Sequence, residues 1–100
     1  METDRELLEL AAKAVGIDFR YIHNTAGGQC LWDGEKLVEW NPLTDDGDAL
    51  RLAVKLMLFD GRSFMHFRLL ETRNDPTRDD YKITRRAIVR AAAEIGKESK

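Results

Sequence analysis

Apolar residues return at helical spacing along residues 3–15, where Leu7, Leu8, Leu10, Ala11, Ala14 and Val15 make one face. Thr3 and Glu6 stand in the T-x-x-E spacing of a capping box, and Gly16 supplies the left-handed position that stops such a helix. The pattern then changes period. Phe19 to His23 is aromatic and β-branched, as a strand requires, and Asn24 to Gly28 reads as a loop. Residues 29–38 alternate around Asp33-Gly34, which predicts a hairpin with a two-residue turn, pairing Trp32 with Glu35 and Cys30 with Leu37. Trp40-Asn41-Pro42 ends it, because proline cannot donate to a ladder.

Helical spacing returns over residues 44–59, with Gly61 placed as the stop. Residues 62–70 alternate Met65, Phe67 and Leu69 against Phe64, His66 and Arg68, which predicts an interior strand covered on both faces. After a turn at Arg73 to Pro76, residues 78–96 form a last helix, with Thr77 and Asp80 as candidate caps. Its apolar face is Tyr81, Thr84, Ala87, Ile88, Ala91 and Ile95; Lys82, Arg85, Arg86, Arg90, Glu94 and Lys97 lie opposite. The order is αβββαβα, an α+β fold with a small, mainly antiparallel sheet and helices packed on it. Residues 1–100 read as a single globular domain, long enough to bury a core without staples.

The acidic cluster Asp45, Asp46 and Asp48 raises the question of a cation. A calcium loop counted from Asp45 would place Gly47, Ala49 and Leu56 at ligand positions, so that pattern fails. A two-carboxylate magnesium site is outweighed by a helix start, where unpaired amides and the positive dipole end favour carboxylates; Thr44 is the expected N-cap. The helix that follows is apolar over about 200°, wider than the usual 100° stripe. It is either wedged between the sheet and another helix or meets another chain through Leu52, Leu56 and Phe59. Trp40 and Trp32 are core anchors or interface anchors.

Composition adds bounds. The chain is 43% hydrophobic and 34% charged, with net charge −2, which fits a folded domain. Residues 1–60 hold 12 acidic and 6 basic groups, and residues 61–100 hold 6 acidic and 10 basic. This split allows head-to-tail self-association that salt weakens. One cysteine, Cys30, excludes an intrachain disulfide framework and suits a reducing cytoplasm; neither a membrane span nor a signal peptide is expected. Lys82, Arg85, Arg86 and Arg90 are the candidate contacts for phosphates or an acidic partner, with a solvated helix face as the plainer reading. His23, Cys30 and His66 lack zinc spacing, and no nucleophile has a neighbouring base, so neither a cofactor nor catalysis is expected.

The segments TDRELLELAAKAVGI, WNPLTDDGDALRLAVKL and TRRAIVRAAAEIG resemble small tailed-phage and prophage proteins grouped as a phage α-β-α sandwich domain. The resemblance implies a sheet between helical layers, the cytoplasm of a bacterial host, and no assigned activity. Together these readings favour a non-enzymatic accessory protein that binds a host or phage protein, with a homodimer as a further option. A nucleic-acid binder using the last helix is one alternative. A small-molecule or nucleotide binder using Asn24–Gly28 and Asp45–Asp48 is the other.

Overall fold

The computed structural model describes residues 3–16, 18–21, 29–32, 35, 37–58, 62–77 and 79–98; for residues 18–21, 29–32, 37, 62 and 63 it describes the backbone alone. Among the described residues four helices and three short strands follow one another as α1 (Asp4–Val15), β1 (Asp18–Tyr21), β2 (Gln29–Trp32), β3 (Leu37–Glu39), α2 (Asp46–Lys55), α3 (Arg62–Asn74) and α4 (Asp80–Glu98). The order is therefore αβββααα.

The α-β-α sandwich is overturned. The protein is mainly helical, and α1, α2 and α3 each pack directly on α4 with no sheet between them. The strands form a small antiparallel meander, β1-β2-β3, which meets the helices through α1. One contiguous core gathers Leu7, Leu8, Trp40, Leu52, Ile88 and Val89, among others, from α1, α2, α4 and the turn before α2.

The largest correction is α3, expected as a strand. Residues 62–70 contain no β-branched side chain, while Met, Leu and Arg are good helix formers. Phe64 and Glu71 are buried and Phe67 and Arg68 half-buried, spaced i, i+3, i+4 and i+7, whereas Met65 and Leu69 are exposed. The alternation was the shadow of a helical period.

The hairpin register differs too. Trp32 pairs with Leu37, Leu31 with Val38 and Cys30 with Glu39, so four residues separate the strands. The register is shifted by two residues from the expected pairing. The turn at Asp33-Gly34 and the stop at Gly61 lie outside the described residues.

Helix α1 follows its expected start and stop. The Thr3 hydroxyl accepts from the Glu6 amide at 3.2 Å, Glu6 reaches back to the Thr3 amide at 3.2 Å, and Gly16 closes the helix at φ 75°. Helix α4 is the hub. It buries Ile83, Ala87, Ile88, Val89, Ala91, Ala92, Ala93 and Gly96, a wider arc than its expected apolar face. Helices α1 and α4 approach until the Gly96 Cα abuts the Leu10 carbonyl, leaving no space for a Cβ. Small residues permit that separation.

Candidate functional site

The stretch WNPLTDDGD is a knitted turn. Trp40, Pro42 and Leu43 are buried. The Asn41 side chain accepts from the Leu43 amide at 3.0 Å, and the Asn41 carbonyl accepts from the Thr44 and Asp45 amides. The N-cap is Asp45, one residue later than expected, and its carboxylate accepts from the Asp48 amide at 2.8 Å. Asp48 accepts from the Asn41 amide at 3.0 Å and from Arg51 at 2.6 Å, while Asp46 pairs with Arg85 at 2.6 Å. Asp45 and Asp48 hold the helix start, and Asp46 ties it to α4. Among the described residues, no three histidine, cysteine or acidic side chains are placed to hold a metal ion.

The four basic candidates do not form one surface. Arg85 faces α2 and donates to the Leu43 carbonyl at 2.9 Å as well as to Asp46. Arg86 and Arg90 turn the other way, onto Glu71 of α3 at 3.4 and 2.8 Å, and Arg86 also bonds Asp4 at 3.1 Å. Glu71 is buried, so these bonds fasten α3 and α1 to α4. The Arg90 guanidinium also lies 4.7 Å from the Phe67 ring centre. Lys82 lies 4.0 Å from Asp75 at the edge of a cleft of about 480 Å³ that Arg86, Arg90, Glu71 and Asn74 also line. The arginines are therefore mainly tertiary clamps. Asp79 caps α4 by accepting from the Tyr81 and Lys82 amides, in place of Thr77 or Asp80.

The proposed interface on Leu52, Leu56, Phe59 and Trp40 also changes. Leu52 is 3% and Trp40 4% exposed, both inside the core. Leu56 packs partly against it, and Phe59 lies outside the described residues. The surplus apolar arc of α2 opens on its other flank, at Leu50 (55% exposed), Val54 (62%) and Met57 (69%). Leu50 and Val54, spaced i and i+4, share one face of α2, and Met57 lies two residues beyond its end. Met57 holds a left-handed φ of 55°, ending α2 where glycine is usual.

That face borders α4. A depression of about 540 Å³ lies between Ala49 and Leu50 on one side and Tyr81, Thr84 and Ile88 on the other. A second, of about 210 Å³, lies among Leu56, Met57, Phe64, Ala91 and Ile95. Tyr81, Thr84, Ile88, Ala91 and Ile95 share one stripe of α4 at helical spacing. Ile88 and Ala91 form its floor, and Tyr81 and Ile95 are exposed. The two depressions follow one another as a track along α4, about 26 Å from Tyr81 to Glu98 at 1.5 Å per residue, the first beside α2 and the second beside Leu56, Met57 and Leu58, which follow α2, and Phe64 of α3. Its carboxylates are Asp46, Asp80, Glu94 and Glu98, and Arg85 is its cation among the described residues.

His66 lies on the exposed side of α3, edge-on to Phe67. His23, the Asn24–Gly28 loop and the side chains of Cys30 and Trp32 lie outside the described residues. No described helix is long and apolar enough to cross a membrane. No family model, curated protein or solved structure matches this chain.

Proposed function

We propose that this chain is a non-enzymatic binding protein that docks on another protein through the α2/α4 track. The observation that supports the reading is the set of exposed apolar side chains Leu50 and Val54 on α2 and Met57 just beyond it, with Tyr81 of α4 across a shared depression from Leu50. A large apolar side chain left in water forgoes roughly 1.5–3 kcal/mol that burial would return. Contiguous exposed apolar surface bordered by polar groups marks interaction sites. These side chains are exposed, while every arginine of α4 has an ion-pair partner among the described residues.

The phage or prophage setting follows from the resemblance of the three quoted segments, and it makes a bacterial host or phage protein the partner we propose. Affinity in this mode comes from a few apolar anchors in a shallow groove, with rim charges setting orientation. The test is capture from bacterial lysate by the tagged chain and by its Leu50→Glu and Val54→Glu variants. Both positions are more than half exposed, so the fold should change by no more than about 0.5 kcal/mol. The expected result is one stoichiometric protein retained by the wild type and lost by both variants. Capture that both variants retain would place the contact elsewhere.

A further inference from the structure

The track has a counterpart on the same chain. Helix α3 exposes Met65 (65%), Leu69 (54%), His66 and Arg73 on one face, spaced i, i+1, i+4 and i+8. Its single carboxylate, Glu71, points the other way and is consumed by Arg86 and Arg90. The outer face of α3 is thus an apolar pair with a cation after it and no carboxylate. Among the described residues the track carries four carboxylates and one guanidinium, and that guanidinium is already bonded to Asp46. Arg68 and Lys97 reach Asp80 and Glu94 from outside at 3.6 and 3.1 Å, but these are exposed pairs that water and salt weaken readily.

We infer that the α2/α4 track receives the outer face of α3 from a second copy of this chain, in a head-to-tail contact that places Met65 and Leu69 over Leu50, Val54 and Tyr81. Helix α3 has 13 residues, about 20 Å at 1.5 Å per residue, and so fits within the length of the track. Phe64 and Arg68 of α3 already border the track of their own chain, but its outer face, Met65 and Leu69, cannot reach that track, because the opposite face is fastened to α4 through Phe64, Phe67 and Glu71. The two patches differ, so the contact is heterologous and the assembly keeps one open face at each end. The inference rests on the track being a docking surface. It adds that self-association occupies the surface any other partner would use.

The experiment is sedimentation equilibrium of the full chain from about 10 μM to 1 mM, at low and at high salt, with Leu50→Glu and Leu69→Glu. The wild type should gain mass with concentration, at least tenfold less readily at high salt. Leu50→Glu blocks every track and Leu69→Glu blocks every α3 face, so each alone should stay monomeric. Mixed one to one, they should form a complex that stops at two copies, because each supplies the face the other lacks. A wild type that stays monomeric across the range overturns the inference, and so does a mixture that stays monomeric. Capture from lysate separates the two readings. A partner lost by Leu50→Glu but kept by Leu69→Glu leaves the docking surface standing when self-association fails.

Discussion

Replacing Gly96 by alanine tests the helical arrangement at its tightest point. In an exposed helix this change would stabilise by about 1 kcal/mol, since glycine pays more backbone entropy than alanine. Here the new methyl would collide with the carbonyl oxygen, carbonyl carbon and Cα of Leu10. These are backbone atoms inside α1, so no side chain can swing away. The helices must separate, disturbing Leu8, Ala11, Ala92 and Ala93, all within 1% of complete burial. Overpacking of this kind costs typically 1–3 kcal/mol, and a backbone obstacle argues for about 3. Subtracting the propensity gain leaves a net loss of about 2 kcal/mol. For a domain of this size that is a fall in Tm of roughly 8–16 °C. Gly47→Ala is the matched control. Its Cβ would meet only the side chains of Asp45 and Arg51, at 3.2–3.4 Å, which can yield, so Tm should hold or rise. The assay is thermal unfolding by circular dichroism, with urea unfolding for the free energy. A Gly96→Ala protein as stable as the wild type would mean that α1 and α4 do not meet at Leu10.

Three further outcomes follow from other elements. Asp45→Ala should cost about 1 kcal/mol in urea unfolding by removing the N-cap of α2, whereas Thr44→Ala should cost less than about 0.5 kcal/mol; equal costs would remove the assignment of Asp45. Met57→Gly should stabilise the fold by roughly 0.5–1 kcal/mol, the relief of a left-handed residue less glycine's added freedom when unfolded, while weakening partner capture; a loss of stability would contradict the left-handed turn. Glu71→Ala should cost about 2 kcal/mol, below the 3–5 kcal/mol of a fully buried pair because Arg86 and Arg90 can partly rehydrate; a change under 0.5 kcal/mol would show that the network does not hold α3.

Local chemistry made several elements legible and others not. Helix α1 announces itself through Thr3, Glu6 and Gly16 because capping is a contact between near neighbours in sequence. The start of α2 is legible for the same reason, although Thr44 and Asp45 are both good caps and only the fold of the preceding turn chooses between them. The sequence of α3 also fits a strand, because Met65, Phe67 and Leu69 satisfy a period of two as well as Phe64, Phe67 and Glu71 satisfy a helical one. A buried glutamate can complete the helical face only when Arg86 and Arg90 arrive from α4. The inner face of α4 was misjudged because its alanines are apolar on every side; Ala92, Ala93 and Gly96 earn their burial from the closeness of α1. The excess apolar arc of α2 was visible in sequence, but its open flank was not. That depends on Arg85 reaching Asp46 and the Leu43 carbonyl from 39 and 42 residues away, which turns Leu52 inward and Leu50 out.

The docking claim is tested most directly by photo-crosslinking. A photoreactive amino acid is placed in turn at Leu50, at Tyr81 and, as a control on exposed α1 surface, at Glu9, and the chain is irradiated in bacterial cytosol. Docking through the track predicts discrete adducts from Leu50 and Tyr81, identified by mass spectrometry, and none from Glu9. Adducts of equal yield from all three positions, or none from the track, would contradict it.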